Sequence, residues 1–245
     1  MNDLICLSKW SREDLHWWLT TLPIFLGGRI PLTDLNPSPG AIRIFTDAAG
    51  GSMMDSGRGI GACIFPSTWT QLKHGRGTNE GLLAGDGKSL AHKLSVWELV
   101  GPLLAISSAP NLVRNRQAVC FIDNIGSVMW WSKGWSSNCD LGNTVIRALH
   151  LVTKALNIDL FIKHIPRCSS KEALVADALS KSNYKVFRTL MREAEQLPRR
   201  PPAALIKWVN NPNPDRELGS EILRELSSST RVLGFSRKRK SRWTN

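Results

Sequence analysis

The sequence predicts an α/β domain, on three observations. Several short segments have the alternating or wholly apolar pattern of β-strands. Longer apolar segments between and after them have the length of buried helices. Hydrophobic residues make up 42% of the 245 residues, which is enough to bury one substantial core. We therefore expect one main domain in which strands and helices share that core.

The first two strands form a predicted hairpin. Residues 41–47 alternate apolar and polar side chains and end at Asp47. A glycine-rich stretch follows, and residues 61–65 have the pattern of a return strand. The sheet therefore begins with two antiparallel strands, and an acid lies at the end of the first.

Two further strands are predicted later in the chain. Residues 118–122 are apolar and rich in β-branched and aromatic side chains, which indicates a buried central strand, and Asp123 follows it. Residues 158–163 predict another strand, and His164 follows that one. Each of these two later strands is therefore followed by an ionisable side chain.

A buried helix that carries Glu98 is predicted over residues 94–106. A carboxylate among apolar neighbours needs a hydrogen bond, an ion pair or a metal. Pro102 removes one helical hydrogen bond at a cost of about 3 kcal/mol, so we expect the helix to kink or restart near Gly101.

Asp177 has a similar apolar setting, on a helix predicted around residues 173–179. Ser169, with Glu172 three residues later, has the pattern of a capping box that starts this helix. The sequence thus places two acids at strand ends and two on apolar helices.

These four acids suit a metal-dependent nuclease. In-line hydrolysis of a phosphodiester uses two divalent ions about 3.5–4 Å apart. Hard ions such as Mg²⁺ prefer carboxylate oxygens to His or Cys ligands. Each acid alone has an ordinary explanation, because Asp caps turns and helix acids are usually solvated. Apolar neighbours at all four positions favour the nuclease interpretation.

The chain also resembles a known family, in an ordered set of motifs that covers about residues 40–185. The motifs are Thr46-Asp47, Trp97-Glu98-Leu99, Phe121-Ile122-Asp123-Asn124, His164-Ile165-Pro166 and Ala176-Asp177-Ala178-Leu179-Ser180-Lys181. They are similar to those of the ribonuclease H domain of retroelement reverse transcriptases, above all in tyrosine-recombinase (DIRS-like) and related animal retroelements. The resemblance implies a ribonuclease H-like α/β fold, with a mixed five-stranded sheet whose first three strands are antiparallel, flanked by helices.

The resemblance also implies roles for individual residues. Two Mg²⁺ or Mn²⁺ ions would be bound by Asp47, Glu98, Asp123 and Asp177. His164 would assist proton transfer or product release, although residues 167–170 lengthen the following loop relative to many related elements. Candidate contacts to the backbone and 2′-hydroxyls of an RNA/DNA hybrid are Asn124, Lys133, Ser136, Asn138 and Arg167.

Three tryptophans lie beside these candidate contacts. We expect Trp130, Trp131 and Trp135 to pack on the sheet rather than to touch substrate, because buried indoles contribute large core volume.

Two related enzyme classes fit the acids less well. Exonucleases of the same broad fold usually carry a second acid two residues after the first, but Ala48 and Ala49 follow Asp47. Transposases and integrases end with a glutamate on the last helix, where this chain has Asp177.

The chain divides into three predicted segments. Residues 1–40 resemble the connection that precedes ribonuclease H in these elements, residues 41–183 form the ribonuclease H-like domain, and residues 184–245 form a helical, basic extension. Helices in the extension are predicted over residues 184–197, 203–209 and 218–226.

Basic charge is concentrated in the extension. Residues 181–245 contain 15 Lys and Arg against 6 Asp and Glu, and so carry most of the net charge of +12. Such a tail favours phosphate backbones through counterion release, and a solubilising role fits it as well. Residues 236–242 also fit a nuclear localisation signal.

The cysteines and the hydropathy indicate the compartment. Five widely spaced cysteines argue against a disulfide framework and against a zinc site, and they indicate reducing conditions. No segment approaches the roughly 20 apolar residues of a membrane span, and no secretory signal is recognisable. We expect an intracellular protein, nuclear or cytoplasmic, with no membrane partner.

The first functional hypothesis is endonucleolytic hydrolysis of the RNA strand of RNA/DNA hybrids by a two-metal mechanism, as the ribonuclease H part of a retroelement. A reverse transcriptase polymerase domain would be a separate partner, because the single tyrosine, Tyr184, is followed by Lys185 and no tyrosine-aspartate-aspartate motif is present. One alternative is a catalytically silent retroelement-derived domain that binds nucleic acid or protein. Another is a nuclease of the same superfamily that acts on DNA.

Overall fold

A computed structural model describes residues 11–12, 15–20, 36–49, 59–65, 68–73, 90–136, 139–167, 169–191, 197–211 and 217–231. Most of the connection-like segment, most of the glycine-rich turn, Asn138 and the basic run 236–242 lie outside the described residues.

Six strands form one mixed sheet. They are β1 (Ile42–Ala49), β2 (Gly59–Phe65), β3 (Thr68–Lys73), β4 (Gln117–Ile122), β5 (Asp159–His164) and β6 (Leu197–Pro198). Their order across the sheet is β5-β4-β1-β2-β3-β6. Strand β2 is antiparallel to both of its neighbours, β1 and β3, whereas β4 runs parallel to β1 and β5 runs parallel to β4. The predicted five-stranded mixed sheet is confirmed, and β6 adds two residues at the edge beside β3.

Eight helices are assigned in the part of the chain from residue 90 onward that the structure describes. They are α1 (Leu90–Ser108), α2 (Pro110–Val113), α3 (Ile125–Lys133), α4 (Asp140–Ala155), α5 (Lys171–Ser180), α6 (Tyr184–Leu190), α7 (Ala203–Asn210) and α8 (Leu218–Arg231). Helices cover both faces of the sheet, because one hydrophobic cluster unites α1, α4, α7 and α8 with the strands and a second unites α5 and α6 with them. The predicted α/β fold with a sheet flanked by helices is confirmed.

The alternation of side chains along β1 assigns each residue to one of these faces. Ile44 and Ala48 belong to the larger cluster, which includes α1. Successive residues of a strand point to opposite faces, so Phe45 and Asp47 are directed to the other face. The alternating pattern of β1 therefore determines which side of the sheet Asp47 lies on.

Pro102 does not end the helix that carries Glu98. Helix α1 runs without a break from Leu90 to Ser108, so the helix does not restart near Gly101, and the expected kink stays a prediction. The side chains of Leu99, Val100 and Leu103 are fully buried around the proline. Burying each such side chain stabilises the fold by roughly 1.5–3 kcal/mol, which together exceeds the cost of about 3 kcal/mol for the proline.

Two predicted helix ends differ from the observed ones. The N-cap of α5 is Ser170, whose hydroxyl accepts from the backbone N–H of Ala173, so the capping box predicted from Ser169 and Glu172 is wrong and the cap lies one residue later. Glu172 pairs with Arg43 at 3.6 Å instead of reaching back to the cap. Helix α6 ends at Leu190, earlier than the predicted residue 197, and Leu197 and Pro198 pair with the edge strand β3 instead of being helical.

The helices predicted over residues 203–209 and 218–226 are present as α7 and α8, and they share the main core. Trp208 is fully buried, and its indole packs edge-on against Trp97 with ring centroids 6.2 Å apart. Glu225 on α8 accepts from the backbone N–H groups of Ala203 and Ala204, which caps the start of α7. Helices α7 and α8 therefore form part of the folded unit.

The three tryptophans after Asp123 differ in their packing. Trp130 and Trp131 are partly buried against the main core, as predicted, and Trp131 stacks on His150 at 4.6 Å. Trp135 is 55% exposed, so its predicted burial is wrong. Gly134 ends α3 in the left-handed conformation with φ 75°, and the turn carries Trp135 away from the core.

None of the helices in the described stretches is both long enough and apolar enough to span a membrane.

Candidate metal centre

Three of the four predicted acids converge at one end of β1. One carboxylate oxygen each from Asp47, Glu98 and Asp123 lie within 4.8 Å of one another. The strand register explains why Asp47 and Asp123 lie close together, because Phe45 on β1 is opposite Phe121 on the parallel strand β4. Two residues further along each strand, Asp47 and Asp123 reach the same level of the sheet on the same face. Neighbouring parallel strands thus bring together acids that are far apart in sequence.

Glu98 reaches these aspartates because α1 lies unusually close to β1. A Cβ atom on Gly101 would be only 2.7 Å from the side chain of Thr46. Glycine removes that clash, and residues three apart on a helix share a face, so the close contact brings Glu98 toward the end of β1. The glycine that precedes Pro102 therefore has a direct role in building the site.

The carboxylate of Glu98 is buried and only half satisfied. Its side chain is 1% exposed, and Oε1 accepts from the backbone N–H of Ala48 at 3.2 Å. Oε2 has no hydrogen-bond partner among the described residues. A buried acceptor without a partner is costly, and it is rare in folded proteins. A cation bound between Glu98 and the two aspartates would satisfy this oxygen.

Burial raises the pKa of Glu98 well above its usual value, and the nearby charges of Asp47 and Asp123 raise it further. Burial also raises the pKa of Asp47, to about 6, while the hydrogen bond from Ser180 opposes that shift and the charges of Asp177 and Asp123 add to it. Carboxylates that repel one another in a buried site bind a divalent cation favourably. The cation takes the place of bound protons, and its charge attracts each carboxylate and offsets their mutual repulsion.

Asp177, the fourth acid, borders the same site from α5. It lines a small cleft together with Asp47 and Asp123, but it lies outside the group of three close carboxylates. Its Oδ1 accepts from Nζ of Lys181 at 2.6 Å. Helix α5 approaches the sheet closely at Gly61, where a Cβ atom would be 2.4 Å from the carbonyl oxygen of Ala176.

Ser180, three residues after Asp177, fixes the orientation of Asp47. Its hydroxyl donates to Oδ2 of Asp47, and its oxygen also lies within hydrogen-bond distance of the carbonyl oxygen of Asp177, so the single proton is shared between two acceptors. Ser180 is fully buried. It belongs to one of the sequence motifs but was not among the predicted site residues. Its spacing of three from Asp177 on a helix is the signal that could have shown its role.

A guanidinium faces the acids on the open side. Nε of Arg167 donates to Oδ2 of Asp123 at 2.9 Å, and its side chain is 59% exposed. The pKa of Arg167 is raised by this hydrogen bond and by the charge of Asp123. The loop that places Arg167 also contributes Ile165 and Pro166 to the cleft.

His164 is exposed at the end of β5, and it is not among the described residues that line the cleft. The strand register places it opposite Ile122, whose side chain is in the main core, whereas Asp123 is directed to the other face. The role of His164 in proton transfer stays a prediction, and Arg167 is the cation that the lengthened loop brings to the acids.

The predicted substrate contacts have different settings. Lys133 and Arg167 are exposed. Asn124 caps α3, and its Oδ1 accepts from Ser127 and from Ser95. Ser136 is 3% exposed, and its backbone pairs with the side chain of Asn143. The exposed cations are therefore the candidates best placed to meet a nucleic acid.

The donor set fits hard divalent cations. All the candidate ligand atoms are carboxylate oxygens, which Mg²⁺ and Mn²⁺ accept readily. The cysteines that the structure describes, at positions 63, 120 and 139, are buried free thiols outside this group. The unpartnered Oε2 of Glu98 adds an independent indication that a cation belongs at this position.

Comparisons with known proteins add a structural likeness. No protein-family model matches the chain. No curated protein matches it either. Among solved structures, the chain is similar to the RNase H1 from the halophilic archaeon Halobacterium salinarum NRC-1, with 18% sequence identity and a TM-score of 0.40. The similarity covers 57% of this chain and 94% of the archaeal chain.

Proposed function

We propose that this chain is a ribonuclease H-type endonuclease that hydrolyses the RNA strand of RNA/DNA hybrids. The observation that supports the proposal best is the group of three carboxylates within 4.8 Å, with a buried and unpartnered oxygen on Glu98. The choice of hybrid as substrate comes from the sequence motifs that resemble retroelement ribonucleases H. On that resemblance alone, we also propose that the chain originates from a retroelement. Its partner would be a reverse transcriptase polymerase on a separate domain.

The chain's own residues would hold and orient the ions. Asp47, Glu98 and Asp123 are the ligands, with Asp177 as the fourth candidate. When two Mg²⁺ or Mn²⁺ ions are bound, they supply an activated water and charge stabilisation at the leaving oxygen. Ser180 fixes one oxygen of Asp47, and the N–H of Ala48 fixes one oxygen of Glu98.

The groups around the ligands would then select and position the substrate. The buried side of the site excludes water around Glu98, which strengthens electrostatic interactions there. The open side exposes Arg167, and Lys133 lies exposed at the end of α3. A cation at the rim of an acidic site, such as Arg167, attracts a phosphate backbone that the carboxylates alone would repel.

The test is cleavage of a labelled RNA/DNA hybrid with Mg²⁺, with Mn²⁺ or with EDTA. The variants are Asp123→Asn, which removes a proposed ligand without changing side-chain volume, and Asp159→Asn, which changes an exposed acid at the start of β5. Duplex DNA and duplex RNA serve as alternative substrates.

The proposal predicts metal-dependent loss of the RNA strand with wild type and with Asp159→Asn, and no cleavage with Asp123→Asn. Equal cleavage by wild type and Asp123→Asn would discard the site. Binding of the hybrid without cleavage supports the silent nucleic-acid-binding alternative, and cleavage of duplex DNA supports the DNA nuclease.

A further inference from the structure

The acids of the site differ in how their charge is compensated. Asp123 pairs with Arg167, and Asp177 pairs with Lys181. No ion pair to Asp47 or Glu98 is found within the described stretches, and these two acids are the most deeply buried. The negative charges of Asp123 and Asp177 are therefore balanced by side-chain cations.

The two ion pairs are not equivalent. Lys181 lies one turn after Asp177 on the same stretch of chain, so the pair is local. Arg167 belongs to the loop after β5 and crosses 44 positions of sequence to reach Asp123. Asp123 is one of the three converging carboxylates, whereas Asp177 is outside that group. Arg167 is therefore the cation that pairs directly with one of the proposed metal-binding carboxylates.

A guanidinium and a divalent ion compete for the same carboxylate. Both carry positive charge, and two such charges a few ångströms apart repel strongly in a partly buried site. Only 17% of the Asp123 side chain is exposed, which limits the room for both cations. Loading of an ion at Asp123 thus favours release of the Arg167 guanidinium.

Arg167 has the freedom and the chemistry to bind elsewhere once it is released. Its side chain is 59% exposed, and it lies at the rim of the cleft. Guanidinium groups carry five donors in a planar arrangement that matches phosphate oxygens. A nucleic-acid phosphate that approaches the loaded site would meet this group at the entrance.

We propose that Arg167 is a tethered counter-cation that pairs with Asp123 when no divalent ion is bound and with a nucleic-acid phosphate when one is bound. This inference rests on the proposed metal site and assigns Arg167 two alternating partners. It makes ion loading and phosphate binding mutually supportive, because each favours release of the guanidinium from Asp123.

The first test measures Mn²⁺ affinity by titration calorimetry on the full chain after removal of metal with EDTA. Arg167→Gln should bind Mn²⁺ about fivefold more tightly than wild type, because an exposed ion pair no longer competes. Arg167→Lys keeps the charge and should remain near wild type. Arg188→Gln, at an exposed arginine in the last turn of α6, is the matched control and should be unchanged. Equal affinity of Arg167→Gln and Arg188→Gln overturns the inference, and so does weaker binding by Arg167→Gln.

The second test measures hybrid binding with and without Ca²⁺ at constant ionic strength. In wild type, Ca²⁺ should tighten binding, and this gain should be lost in Arg167→Gln. The slope of affinity against salt in the presence of Ca²⁺ should fall by about one in that variant. An unchanged Ca²⁺-dependent gain in Arg167→Gln overturns the phosphate half of the inference.

These readouts separate the inference from the proposed function. Equal Mn²⁺ affinity of wild type and Asp123→Asn would rule out the proposed metal site, and the proposed function and the inference would then fail together. Mn²⁺ binding and hybrid cleavage by wild type, with no effect of Arg167→Gln on ion affinity, would overturn the inference alone.

Discussion

Ser180 donates its hydroxyl to Oδ2 of Asp47 across 133 positions of sequence. The bond joins the last residue of α5 to β1, and it opposes the rise that burial causes in the pKa of Asp47. One hydroxyl therefore controls both where this carboxylate lies and how readily it ionises.

Replacement of Ser180 by Ala should raise the pKa of Asp47 above about 6, because the hydrogen bond that favours the charged carboxylate is lost. We also expect a loss of roughly 1 kcal/mol of stability at neutral pH. Carboxyl NMR titration measures the pKa. Ser132→Ala, at an exposed position on α3, is the control. A pKa that stays the same or falls in Ser180→Ala contradicts this role.

Without divalent ions, stability should decrease from pH 4 to pH 7. The pKa of Asp47 is raised from 3.8 to about 6, so the folded state retains a proton that the unfolded state releases. The stabilisation is complete below about pH 4 and is lost as the pH rises through 6, by on the order of 3 kcal/mol. The raised pKa of Glu98 acts in the same direction. The charged groups that face Asp47 are Asp123, Asp177 and Arg167.

Urea unfolding in EDTA from pH 4 to pH 8 measures this dependence. Asp47→Asn should flatten the curve, since Asn does not titrate. Wild-type stability that rises over this pH range would contradict the prediction, and so would a wild-type slope in Asp47→Asn. Either result would show that the charged carboxylates do not destabilise the folded state.

Glu98→Gln should stabilise the metal-free protein at pH 7 and abolish ion-dependent cleavage. The amide keeps an oxygen to accept from Ala48 and introduces no charge beside Asp47 and Asp123. We expect a gain of roughly 1–3 kcal/mol at pH 7 and a smaller gain near pH 4, where the carboxyl is already protonated.

The control is Glu172→Gln, at an acid that pairs with Arg43 near the surface, and its effect should stay within about 0.5 kcal/mol. Thermal unfolding at both pH values measures the difference. Destabilisation of Glu98→Gln at pH 7 would mean that the charged form of Glu98 supports the fold.

Gly61→Ala should destabilise the protein by about 1–3 kcal/mol and reduce cleavage. The new Cβ atom would lie 2.4 Å from the carbonyl oxygen of Ala176, so α5 must move away from β2. Because α5 carries both Asp177 and Ser180, the shift disturbs the site as well. Gly40→Ala meets nothing within 4 Å and is the matched control. Equal stability of the two variants would contradict the close packing of α5.

Trp208→Ala should cost about 3–5 kcal/mol, because the indole is fully buried in the main core. Trp135→Ala removes an indole that is 55% exposed, and its cost should be well under 1 kcal/mol. Chemical denaturation compares the two. Similar stabilities would show that α7 is not part of the folded unit.

The sequence predicted much of the sheet and the position of the acids. Strands β1 and β4 have clear patterns, Asp47 lies near the C-terminal end of β1 and Asp123 directly follows β4, and parallel neighbours bring these ends together. The convergence of Asp47 and Asp123 was therefore predictable from sequence pattern and from the family resemblance. Glu98 followed from its apolar neighbours, which imply that the carboxylate is buried.

Other features depended on contacts that local pattern does not encode. The pair between Arg167 and Asp123 depends on the path of a loop. Ser169 and Ser170 both have the chemistry of an N-cap, and packing of α5 selects the second. Strand β6 is too short to form without the edge of β3. Trp135 is exposed because of the turn at Gly134, which outweighs its hydrophobicity.

The contact between Trp97 and Trp208 joins the helix that carries Glu98 to α7. Glu98 is adjacent to Trp97, and Trp97 rests on an indole 111 residues further along the chain. A ribosome synthesises the chain from its N-terminus, so α1 emerges long before α7 is available to support it. Contacts of such long sequence separation also form slowly during refolding. Packing of the helix that carries Glu98 is therefore completed only after α7 has been synthesised.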